Sequence, residues 1–101
     1  ELLFTGRQVK AAEALQIRLA NHVYSAEELK PKGLEMARLI AAKGPLAVRL
    51  TKQAVHSGLD LDLTNACALE SDLFALTFST TDQKEGMAAF LEKRAPGFQG
   101  K

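Results

Sequence analysis

The chain has 101 residues, 47% apolar and 25% charged, with a formal net charge of +1, and such ordinary globular values carry no overall field toward nucleic acid or an acidic partner. A chain of this length buries only about 60–70% of its unfolded surface, so it holds one modest core or a piece of a larger one. A single cysteine, Cys67, excludes an internal disulfide, and no apolar run approaches the roughly 20 residues of a membrane helix.

Leu2-Leu3-Phe4-Thr5-Gly6 is a short apolar run closed by glycine. It suits a buried strand or a helix tail, and periodicity does not choose between them. Ala11 to Leu19 predicts a helix, rich in alanine with Leu15 and Leu19 four apart. Asn21, which tolerates the left-handed conformation, is its expected end. His22-Val23-Tyr24 then reads as an extended link. Ser25 with Glu28 forms a capping-box pattern. Pro31 follows early, so a broken first turn is expected, then regular helix to Ala42.

Gly44-Pro45 stops one helix and starts the next. The new helix is expected from Pro45 to His56, ended by Ser57-Gly58. Leu61 to Phe78 is the longest helical pattern, with Leu63, Ala66, Cys67, Glu70, Phe74 and Phe78 sharing a face. Asp82 is the expected cap of a last helix, with Glu85 at its third position and an end near Arg94. Pro96-Gly97 breaks the chain beyond it.

Little in this string supports catalysis on its own. A metal site needs His, Cys or carboxylates at matched spacing; His22, His56 and Cys67 fall on different elements. Cys67, on an apolar helical face, is expected in the core. His56, near a helix C-terminus, is favourable to the dipole. No glycine-rich phosphate loop occurs, and the lysines and arginines form no stripe with interleaved aromatics. Glu70 is the one unusual carboxylate, set between Cys67 and Phe74. It is expected to be a buried structural group held by an arginine or by helix N–H groups, rather than a general acid or base. No second carboxylate stands at a catalytic spacing from it.

Phe90 and Lys93 raise a different possibility. Three apart on a helix, they face the same way. Phenylalanine offers a stacking face and lysine a point charge for phosphate. The plainer reading makes Phe90 a core residue and Lys93 a complement to the helix C-terminus, an effect of about 0.3–1 kcal/mol.

Several segments together resemble the crotonase (enoyl-CoA hydratase/isomerase) superfamily. They are Leu3-Phe4-Thr5-Gly6-Arg7, Ala12-Glu13-Ala14-Leu15, Leu19-Ala20-Asn21-His22-Val23 and the run from Gly44 to Lys52. Glu70 with Phe74, Thr80-Thr81-Asp82, Glu85-Gly86 and Ala89-Phe90-Leu91-Glu92-Lys93-Arg94 resemble its C-terminal signature. The likeness covers the whole chain and departs at Arg18 and Ala20, where the family usually shows glycine and valine. Arg18 puts a long cation where a helix would end in close packing.

The resemblance implies a mainly α fold class. The chain would be the C-terminal helical, trimerisation segment of a crotonase-type α/β spiral fold, with about five helices and little strand. Residues 1–60 would cover a spiral core held by an absent N-terminal part, and residues 61–101 would form the association segment. That absent part would carry the oxyanion hole and the acid/base glutamates, so no catalytic residue falls in this chain. Phe90 and Lys93 would lie against the adenine end of CoA bound to a neighbouring subunit. The implied parent is an enoyl-CoA hydratase, a lyase of fatty acid metabolism that takes an acyl-CoA thioester as substrate and needs no cofactor. It would be a homo-oligomer, a trimer or dimer of trimers, with no membrane or nucleic acid partner. Its compartment would be the cytoplasm in a bacterium and the mitochondrial matrix in a eukaryote. An isolated helical association module without catalysis is the alternative reading, and an RNA-binding member of the family the third.

Overall fold

Glycine, proline and hydroxyl caps punctuate the chain into six helices and no strand: α1 (Leu2–Thr5), α2 (Ala11–Gln16), α3 (Ala26–Ala41), α4 (Pro45–Gly58), α5 (Leu63–Thr77) and α6 (Thr81–Glu92). This is a computed structural model that describes residues 1–101. The mainly helical expectation holds. The sixth helix is α1, a single turn closed when Gly6, at φ 62°, donates its N–H to the Leu2 carbonyl.

The chain divides into two compact units, Glu1–Met36 and Ala37–Lys101. In the first, α2 is shorter than its alanine content suggests. It ends at Gln16, and the left-handed residue is Arg18 at φ 61°, not Asn21. Arg18 N–H reaches the Leu15 carbonyl at 3.1 Å and Leu19 N–H crosses over it to Ala14 at 2.8 Å. These paired bonds satisfy the carbonyls that a helix end leaves open. The capping box before α3 forms as its pattern requires. Glu28 N–H meets Ser25 Oγ, and Ser25 N–H meets Glu28 Oε2, both at 3.3 Å. Pro31 does not break the first turn; it sits inside a continuous helix. The lost bond is a single one to the Glu27 carbonyl, and this part of α3 is exposed throughout, so water can take that acceptor.

In the second unit, Gly44 precedes Pro45 at the first position of α4, as expected. The helix continues through Ser57-Gly58 to a cap at Leu59. Asp62, whose side chain accepts from Asn65 N–H at 3.1 Å, sets the start of α5 at Leu63 rather than Leu61. α4 and α5 pack on each other, and a Cβ at Gly58 would lie 3.7 Å from the Ala66 methyl. The buried apolar side chains number only two, Leu73 and Ala89.

Thr80, not Asp82, caps α6, accepting from Gln83 N–H at 3.1 Å. Asp82 is free for another task because it lies one residue inside the helix. Its carboxylate accepts Gln99 N–H and Gly100 N–H, both at 2.7 Å. Thr81 and Asp82 in turn give their N–H groups to the Lys101 carbonyl at 2.8 and 3.1 Å. Residues 95–101 are thereby strapped back over the start of α6. The strap seats the Phe98 ring against Gly86, where a Cβ would come within 3.3 Å of it.

Candidate functional site

α6 ends one residue short of Lys93, which stands in the left-handed region at φ 55°, ψ 39°. The shared helical face expected of Phe90 and Lys93 is therefore not kept, because the left-handed φ falls on Lys93 itself. Phe90 is 79% exposed, so it is not a core residue of this chain. Lys93 is exposed and makes no ion pair.

Its neighbour Arg94 is held on three nitrogens. Nη1 and Nη2 bind the two oxygens of Glu85 at 2.6 and 2.9 Å, and Nε binds Glu92 Oε2 at 2.6 Å. Glu85 Oε1 also accepts Gly97 N–H at 2.8 Å. The Arg94 guanidinium, aided by the Gly97 amide, pulls the Glu85 carboxyl down to about 2. Glu85 and then Glu92 raise the Arg94 guanidinium above its already high range. A two-pronged carboxylate grip of this kind fixes direction as well as charge.

A second feature of the same unit is an apolar cleft of about 790 Å³, lined among others by Leu50, Ala54, Cys67, Glu70, Phe74 and Phe98. Two expectations fail here. Cys67 is exposed rather than part of the core. Glu70 is exposed and has neither an arginine nor a helix N–H partner. Both line this open space together with Leu73, the one side chain that α5 buries. α5 is apolar on nearly every side, so its pattern does not mark which face is covered.

No group of three His, Cys, Asp or Glu side chains could hold a metal ion. His22 stacks on Tyr24 at 5.8 Å, and His56 lies in the last turn of α4 as expected. No helix is long and apolar enough to cross a membrane. The residues that sequence reasoning missed as a pair are Glu85 and Arg94. They are nine apart and joined only because the chain reverses at Lys93, a separation with no sequence rule.

Six helices, a core of only Leu73 and Ala89 and an open apolar cleft define the class as a mainly helical segment with little buried interior. The enoyl-CoA hydratase/isomerase family matches residues 1–101, and the chain belongs to that family. A crotonyl-CoA hydratase of Syntrophomonas wolfei is 48% identical over 101 residues, 100% of this chain and 39% of the relative. Enoyl-CoA hydratase domain-containing protein 2, mitochondrial, of Mus musculus is 41% identical over 100% of this chain and 36% of its own length. The crystal structure of an enoyl-CoA hydratase from Bacillus anthracis superposes with a TM-score of 0.94 at 38% identity, covering 99% of this chain and 39% of that one. The chain thus spans about two-fifths of the length of the relatives it matches, which include both bacterial and mitochondrial proteins.

Proposed function

We propose that this chain is the C-terminal part of an enoyl-CoA hydratase that adds water to a trans-2-enoyl-CoA. The observation that carries the reading is the 48% identity, over the whole chain, to a protein named crotonyl-CoA hydratase. In this reading the oxyanion hole and the two glutamates that handle water come from the preceding part. A hole of N–H donors stabilises the thioester enolate, and carboxylates move the protons. Residues 1–60 cover that part, and residues 61–101 serve association with other copies. Phe90 stacks on the adenine of CoA and Lys93 meets its phosphates. The substrate is the CoA thioester and no further cofactor is needed. The compartment is the cytoplasm of a bacterium or the mitochondrial matrix of a eukaryote.

The test joins this chain to the N-terminal part of the Syntrophomonas relative, in place of the segment it resembles, and follows loss of enoyl absorbance from crotonyl-CoA. The chimera is expected to be active and the 101-residue chain alone silent. In the chimera, Phe90→Ala and Lys93→Ala should each raise KM about tenfold with kcat unchanged, because contacts made equally in ground and transition states alter only binding. The Lys93 effect should shrink at high salt. Activity of the isolated chain, or an inactive but folded chimera, would overturn the reading.

A further inference from the structure

Lys93 occupies backbone space that its side chain disfavours. At φ 55° the Cβ of an L-residue crowds the following carbonyl, and glycine is the usual occupant at such a helix end. The end is otherwise regular. Lys93 N–H bonds Phe90 O at 3.3 Å and Arg94 N–H crosses to Ala89 O at 3.0 Å. Glycine would make the same two bonds with less strain. A disfavoured conformation persists where its surroundings over-determine it, and such places cluster at ligand clamps.

The surroundings here converge on one carboxylate. Glu85, on α6, takes both terminal nitrogens of Arg94 and the N–H of Gly97. Arg94 Nε ties in Glu92. The residues on both sides of Lys93 are thus bound into one network, while Lys93 itself is left out of it. Exposed ion pairs contribute little to stability, and these are partly exposed. What a bidentate arginine grip does supply is direction.

The geometry points to Glu85, acting through Arg94, as a positioning residue that fixes the backbone from which Lys93 meets the phosphates of a nucleotide-bearing thioester. This rests on the CoA reading of Phe90 and Lys93 given above.

The experiment uses the full hydratase that carries this chain, with crotonyl-CoA and with crotonyl-pantetheine, which lacks the nucleotide. Glu85→Gln keeps the shape and removes the charge. It should raise KM for crotonyl-CoA roughly threefold, a partial loss of one charged contact, with kcat unchanged. KM for crotonyl-pantetheine should not move. In a Lys93→Ala background Glu85→Gln should add nothing, since a residue acting through Lys93 has no effect without it. Arg94→Lys, which loses the two-pronged grip, should behave like Glu85→Gln and is read instead if that variant fails to fold. A KM that is unchanged in Glu85→Gln while Lys93→Ala raises it overturns the positioning role and leaves the CoA reading standing. Full additivity of the two substitutions does the same. An unchanged KM in Lys93→Ala overturns the CoA reading itself, and this inference with it.

Discussion

Arg18 and Lys93 are the non-glycine residues with positive φ, and both close a helix with the same pair of crossing bonds. Their surroundings differ. No hydrogen bond or ion pair involves the Arg18 side chain, whereas Lys93 is flanked by the Glu85–Arg94 network. Arg18 also stands where the family resemblance puts glycine. Arg18→Gly should therefore raise stability by about 1 kcal/mol through relief of the left-handed strain, read as a higher Tm by circular dichroism. The Glu85 carboxyl carries a pH signature. Its folded value of about 2 lies below the ordinary 4.5, so between those two values the unfolded chain binds the extra proton. Stability from this group is complete above about pH 4.5 and is lost as pH falls toward 2. The Gly97 amide resonance, whose N–H points at Glu85, should titrate with a midpoint near 2, and in Glu85→Gln that transition should vanish.

At the scale of elements, the clamp between α6 and the strap is the most determined feature. Asp82 is 6% exposed and accepts two backbone N–H groups. Asp82→Ala should leave both donors unpaired and cost about 1–3 kcal/mol, with faster amide exchange at Gln99 and Gly100 than at residues of α5. The capping box at Ser25–Glu28 and the Gly44-Pro45 junction were legible in the sequence because they are local, reaching three or four residues. The Asp82 clamp was not. Aspartate at a helix start looks like a cap, and nothing local says that its acceptors are claimed by residues 17 and 18 positions away. The Pro31 expectation failed for the opposite reason, since the rule is local and the cost of breaking it falls on an exposed turn. At the candidate site, sequence supplied Phe90 and Lys93. It could not supply the left-handed turn at Lys93, because lysine is a residue type that gives no sign of it.

At the scale of the whole molecule, apolar surface outruns what the chain covers. Leu59, Leu63 and Phe74 are 80%, 79% and 64% exposed, against a core of Leu73 and Ala89. Exposed apolar surface of this kind favours association in water. The 101-residue chain should therefore self-associate at micromolar concentration. Sedimentation velocity would show species heavier than 10.9 kDa, and a single monomeric boundary would count against it. Glu70 and Cys67 misled for the same reason. Their positions were read for a completed core, and in this chain they border the open cleft.

The strap has a consequence for how the segment forms. Thr81 Oγ1 and the Lys101 carbonyl, 20 residues apart, are hydrogen-bonded at 2.8 Å, so α6 and its tail make a closed loop. Joining a loop of about 10 residues takes roughly 10–100 ns, and lengthening it adds only slowly to the entropy. The helix end bearing Phe90 and Lys93 therefore depends on short-range closure. It is expected to gain amide protection early in refolding, with Gln99 and Gly100 protected in the same pulse as Gln83, ahead of any association between copies. The surface proposed to receive the nucleotide would then be a self-contained tile, built from one stretch of about 20 residues.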